Sequence, residues 1–139
     1  FSGQVSGESI IEKNQVEIKE IFEQENIEEI LNKTYSLSQN GSEFSKNTEH
    51  ELKGKSPTSL KITFKQIHMA TEMSLRDALI MEYRMVQRCQ ASGDFYEGVR
   101  AMLVDKDRNP QWKPNNLDKV DEIWVNHFFE PLHEKDLKI

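Results

Sequence analysis

The stretch Ser92–Pro114, SGDFYEGVRAMLVDKDRNPQWKP, decides the fold. Its first half reads as a helix. Gly93 ends one helical pattern, and Asp94 can cap the next with Glu97 three residues on. Phe95, Val99 and Met102 then recur at the spacing of a single buried face. Its second half spends ten residues on acids, bases, two prolines and a tryptophan. Asn109-Pro110 stops regular structure and Lys113-Pro114 forces an extended exit.

Helical signals continue on both sides of this stretch. Upstream, Ser74-Leu75-Arg76-Asp77 resembles a capping box with Asp in the usual Glu position, followed by the apolar stripe Leu75, Ala78, Leu79, Val86 and Cys89. Ser56-Pro57 supplies a cap and a proline at the first helical position, and Leu60, Phe64 and Ile67 line one face of the helix that follows. Residues 43–52 read as a short helix stopped by Gly54, and residues 16–22 and 27–37 as two more, with Asn26 and Glu29 as a start signal. Downstream, residues 117–129 read as a final helix. The predicted fold class is all-α, an array of about six or seven short helices. Residues 1–15 are expected to be a linker or ragged N-terminus, and residues 16–139 one helical region.

Composition narrows the function classes. A chain of 139 residues can bury about two-thirds of its unfolded surface. Hydrophobic residues make up only 36% and mean hydropathy is -0.72, lean for a self-sufficient domain. The chain begins at Phe1 and not at a methionine, so a processed or truncated piece is expected. The net charge of -6 lies in the first third, where residues 1–53 carry 11 Glu against 5 Lys. Residues 55–113 hold 10 bases and 7 acids, enough to help hold an anionic ligand but without the density of a nucleic-acid stripe. Apolar runs no longer than Ala78–Met81 fall far short of a membrane span, so neither nucleic acid nor membrane is expected as a partner. A single cysteine, Cys89, fits a reducing compartment.

Several residues invite a chemical role and have a plainer one. Asp105, Asp107 and Asn109 occupy the first, third and fifth positions of a calcium loop. Pro110 then stands where the turn needs Gly, and Asn116 where a bidentate Glu should close the site. Cys89 lies on an apolar stripe with no His within four residues, so a packed thiol is expected and not a nucleophile. His50, His68, His127 and His133 lack tight ligand spacing, and no metal site is expected. Glu82, Arg84 and Arg88 read as ion-pair formers to neighbouring helices. Trp112 and Trp124 read as packing residues, although a tryptophan between prolines also offers a flat surface to a ligand ring. No nucleophile with its base, carboxylate pair or Gly-rich phosphate loop emerges. The residues alone describe a soluble helical module with a rigid basic loop.

The order SPTSLKIT (Ser56–Thr63), SLRDALIMEYRMVQRC (Ser74–Cys89) and DFYEGVRAMLVDKDRNPQWKP (Asp94–Pro114) resembles the C-terminal part of the 3-hydroxyisobutyryl-CoA hydrolases, a family of the crotonase (enoyl-CoA hydratase) superfamily. The likeness runs from about Asn26 to the end and is strongest in DF-x-EGVRA-x-L-x-DKD-x-x-P-x-W-x-P. It implies a mitochondrial thioesterase that cleaves 3-hydroxyisobutyryl-CoA during valine breakdown. It also implies that the oxyanion-hole N–H groups and catalytic acids belong to a preceding α/β spiral domain. No catalytic residue is therefore expected within residues 1–139, and no cofactor beyond the CoA of the substrate. The expected partners are the acyl-CoA, that core and further copies of the protein.

In enoyl-CoA hydratases an EG-x-x-A-F-x-EKR segment followed by an aromatic places a lysine and that aromatic near the CoA nucleotide. Glu97, Gly98 and Ala101 match this frame directly. Lys106 and Trp112 are the nearest equivalents of the lysine and the aromatic, in a segment that is longer here between Ala101 and Trp112. The resemblance thus implies CoA-binding roles for Lys106 and Trp112. The alternatives are another acyl-CoA enzyme of the superfamily, a hydratase or isomerase, and a stand-alone helical module whose acidic first third meets a basic partner.

Overall fold

Capping side chains open most of the helices in the structure, a computed structural model that describes residues 9–139. The chain divides at Gly54 into two compact units. The first contains α1 (Ile10–Lys13), α2 (Gln15–Phe22), α3 (Ile27–Gln39) and α4 (Glu43–Lys53). Ser9 caps α1 through the Glu12 N–H, Asn26 caps α3 through the Glu29 N–H, and Ser42 caps α4 through the Ser45 N–H. Of the residues expected as a linker, 1–8 lie outside the described ones, while Ile10–Lys13 forms a helical turn.

Ile21, Ile27 and Ile30 are buried in this unit together with Thr34, Ser38 and Ser45. Each buried hydroxyl has a partner, as burial without one would cost stability. Thr34 donates to the Ile30 carbonyl at 2.6 Å and Ser38 to Glu49 at 2.7 Å, while Glu17 accepts from both Ser42 and Ser45. Lys33 pairs with Glu20, and Lys53 with Glu49. Several carboxylates of the acidic first third are thus engaged within their own unit.

The second unit contains α5 (Pro57–Ala70), α6 (Leu75–Ala91) and α7 (Asp94–Val99), which runs into a π-helical turn at Arg100–Val104. A 3₁₀ turn (Leu117–Lys119), α8 (Glu122–His127) and a last 3₁₀ turn (His133–Lys135) follow. Ile62, Met81, Met85, Val120, Val125 and Phe128 form its core, with Met69, Met73, Cys89 and Phe129 packed against them. Arg84 forks onto both carboxylate oxygens of Asp136, and Arg88 donates to the carbonyls of Glu130 and Pro131. These two arginines tie the C-terminal segment to α6, Arg84 by the kind of ion pair expected and Arg88 through backbone carbonyls in place of one. Glu82 accepts from Gln66 across α5 and α6 at 3.1 Å.

The expected six or seven helices become eight α-helices among the described residues. The expected final helix over 117–129 is broken. Val120 is extended and buried, its carbonyl accepts from Lys61 Nζ at 3.0 Å, and Asp121 starts α8 afresh by capping the Trp124 N–H. Ser74 does cap α6, but the Asp77 carboxylate accepts the Ser74 hydroxyl where a capping box would take the backbone N–H. The buried face of α6 is Met81 and Met85, whereas Leu75, Leu79 and Val86 are exposed. Phe95 and Met102, expected inside, are each at least half exposed, and Ala101 is the buried residue of that segment. No helix among the described residues is long and apolar enough to cross a membrane.

Candidate functional site

The tail Asp105–Pro114 is held by three side chains of α7 and the π-helical turn that continues it. Gly93, at φ 91, takes a backbone shape that side chains resist, and it stands where Asp94 was expected to cap. Asp94 is instead the first residue of α7, and it is buried. One of its oxygens accepts the Ser56 hydroxyl at 2.6 Å and the other the Lys113 N–H at 3.0 Å. It joins the start of α5 to the end of the tail.

Arg100 holds the middle. Its guanidinium donates to both oxygens of Glu97 at 2.9 and 2.8 Å, to Asp105 and Asp107 at 2.6 Å each, and to the Asn109 carbonyl at 3.2 Å. Glu97 accepts in addition the Gln111 N–H at 2.6 Å. The Arg100 guanidinium and that N–H together hold the Glu97 carboxyl at about 2, well below its ordinary value. Arg100 and the Asn109 N–H lower Asp107 in the same way, and the acids around Arg100 raise its own value. The two aspartates read as calcium-loop positions therefore converge on a guanidinium of their own chain.

The wide turn makes this reach possible. The Asp105 N–H bonds the Arg100 carbonyl at 2.8 Å, a five-residue step in place of the usual four, and the Arg108 N–H bonds the Ala101 carbonyl at 3.0 Å. The anchored positions are then every second residue, namely Asp105, Asp107, Asn109, Gln111 and Lys113. Between them Lys106 and Arg108 take left-handed backbone angles, φ 57 and 55, at a cost of roughly 1–2 kcal/mol each. Both are exposed.

Trp112 is half buried over Gly98, where a Cβ would come within 3.3 Å of the indole. Gly98 thus answers to a close approach of the ring. The indole lines a shallow depression with Pro110, Gln111, Lys113, Pro114, Asn115 and Lys119. Lys106 is not among the lining residues, so the two expected CoA-binding side chains do not share that depression, and Lys113 and Lys119 are the cations beside the ring. Arg100 was missed in the sequence, although Glu97 and Arg100 at helical i,i+3 spacing carried a signal. Cys89 packs beside the core, and burial with the nearby Asp94 charge pushes its thiol pKa up, which keeps it protonated.

Residues 2–129 match the enoyl-CoA hydratase/isomerase family model, and the chain belongs to that family. It is similar to the mitochondrial 3-hydroxyisobutyryl-CoA hydrolase of Gallus gallus, 42% identical over 132 residues, which is 95% of this chain and 34% of that protein. The hydrolases of Danio rerio and Homo sapiens are 42% and 41% identical over 94% and 93% of this chain, and 33% of each of those proteins is covered. The chain spans about a third of the length of these relatives.

Solved structures also match, two of them as follows. An enoyl-CoA hydratase from Rhodobacter sphaeroides aligns over 100% of this chain and 40% of its own, with TM-score 0.86 and 26% identity. A carnitinyl-CoA dehydratase from Mycobacterium thermoresistibile aligns over 97% of this chain and 38% of its own, with the same score and identity. These matches overturn the all-α class read from the sequence, because the helices belong to the enoyl-CoA hydratase fold and do not make a fold of their own. Helical periodicity reports local elements, and over a third of a relative's length it cannot report the class they belong to.

Proposed function

We propose that the full-length protein carrying this chain is a CoA thioester hydrolase that converts 3-hydroxyisobutyryl-CoA and water to 3-hydroxyisobutyrate and CoA in valine breakdown, in mitochondria. The observation that carries this reading is the 42% identity over 95% of the chain to proteins of that name. The reaction itself is assigned to residues outside this chain. Donors placed where charge develops on the thioester oxygen lower the barrier, and a carboxyl group handles the acyl or proton transfer. The helical chain covers that core. Its tail contributes to binding the CoA part of the substrate, with Lys106 against a phosphate and Trp112 near the adenine.

The test is the reaction catalysed by the purified full-length protein. Release of free thiol from 3-hydroxyisobutyryl-CoA, with no hydration of crotonyl-CoA, is expected. Hydration without thiol release would assign the protein to the hydratases of the family, and neither reaction would remove the acyl-CoA reading. Lys106→Ala is expected to raise KM for the acyl-CoA with little effect on kcat, because it supplies binding made equally in ground and transition states.

A further inference from the structure

We propose that Arg100 is a positioning residue that shapes the Asp105–Asn109 loop so that Lys106 and Arg108 are presented together as a pair of cations for the phosphate groups of the acyl-CoA. The inference rests on the acyl-CoA reading above and adds roles for two residues, Arg100 and Arg108, to which the family resemblance assigns none.

Lys106 and Arg108 alternate with Asp105 and Asp107, and the simplest outcome for such a sequence is mutual neutralisation between neighbours. The structure does otherwise. Both aspartates are committed to Arg100 at 2.6 Å, and the Asn109 carbonyl and both Glu97 oxygens complete its set of acceptors. No hydrogen bond or ion pair engages the side chain of Lys106 or Arg108 among the described residues. The loop therefore separates its charges in space, with three carboxylates gathered on one guanidinium and Lys106 and Arg108 outside that network.

Backbone shape points the same way. Lys106 and Arg108 both have positive φ, an arrangement non-glycine residues adopt only when their surroundings impose it, and such outliers gather at ligand sites. Arg100 is what imposes it, since it grips the residues on either side of each. Two residues of chain place the Cα atoms of Lys106 and Arg108 at most about 7 Å apart, close enough for one phosphate-rich ligand to meet both side chains. A lysine at position 100 would keep the charge but lose the planar fork that serves several acceptors at once.

The experiment uses the full-length protein and titrates free CoA by calorimetry, beside steady-state kinetics and melting temperatures. Arg108→Ala and Lys106→Ala are each expected to raise the Kd for CoA about fivefold, the size of one exposed ionic contact, with melting temperature unchanged. Arg100→Lys is expected to raise Kd by about tenfold, yet to add little in the Lys106→Ala/Arg108→Ala background, because it acts through those cations. An Arg100→Lys effect equally large in that background, or a lowered melting temperature with unchanged Kd, would show a folding role only and overturn the inference. An unchanged Kd for Arg108→Ala overturns it even where Arg100→Lys does not fold. Failure of the unsubstituted protein to bind CoA is a different result, and it removes the acyl-CoA reading on which the pair depends.

Discussion

Glu97 is the acid on which the tail depends, and its titration sets a pH window. Arg100 and the Gln111 N–H hold its carboxyl at about 2, below an ordinary value near 4.5. A depressed carboxyl contributes stability that is present above its unfolded value and lost as pH falls through its folded value. The tail should therefore stay anchored down to about pH 4.5 and loosen between there and about 2, with the lowered Asp107 acting in the same direction. In a Trp124→Phe background, where Trp112 is the sole tryptophan, indole fluorescence should be flat above that window and change within it. Glu97→Gln should show the acid-like signal already at neutral pH. A neighbouring test concerns Gly98. A valine there brings branched carbon against an indole that a Cβ alone would already meet at 3.3 Å, so Gly98→Val should displace Trp112 and cost about 1–3 kcal/mol by overpacking, read from denaturant unfolding. Gly98→Ala should cost less, since the alanine regains up to about 1 kcal/mol of helix propensity.

Helix α6 shows how far an element can be read from its sequence. Its start at Ser74 and its end before Gly93 were legible because caps and left-handed glycines follow local stereochemistry, as were Ser56-Pro57 for α5 and Asn26 for α3. Its faces were not. The helix carries two apolar sets, Met81 with Met85 and Leu75 with Leu79 and Val86, and periodicity cannot say which one meets the local core. The second set looked the stronger because leucine and valine outrank methionine as core residues, but the partners from α5 and α8 face the methionines. The same limit broke the expected helix over 117–129, where Val120 leaves helical geometry to fill the core. Likewise the tail was legible as a non-helical, proline-bounded segment, while the convergence of Asp105 and Asp107 on Arg100 depended on a π-helical turn that residue spacing does not announce. The two faces of α6 make a direct test in this chain. Met85→Ala should cost about 2–5 kcal/mol as a buried truncation, whereas Leu79→Ser should stay within about 0.5 kcal/mol. Paired denaturant titrations check both, and equal costs would reverse the assignment of faces.

At the scale of the whole chain, the described residues leave many large apolar side chains exposed. In the second unit Leu75, Leu79, Val86, Phe95, Met102, Leu103 and Val104 are all substantially exposed, on α6, α7 and the π-helical turn. Burying such side chains is worth about 1.5–3 kcal/mol each for the larger ones, so leaving them in water forgoes much of the stability available to a domain of this size. The relatives are about three times as long as the chain, and an enoyl-CoA hydratase matches it over 40% of its own length. The proposed reading gives this surface a use, because a helical layer that covers a catalytic core must keep one apolar side for that core. Two results should then occur together for residues 1–139 expressed alone. They should release no CoA from 3-hydroxyisobutyryl-CoA, since the donors and acids of the reaction are assigned elsewhere, and they should bind a hydrophobic dye strongly through the open face. The full-length protein should do the reverse, hydrolysing the thioester and binding little dye. There Leu79→Ser, nearly silent in the isolated chain, should lower the melting temperature by several degrees, because the same side chain would now be buried. A chain that melts cooperatively, ignores the dye and gains no sensitivity at Leu79 in the longer protein would instead be an independent helical module, and the covering role would be abandoned.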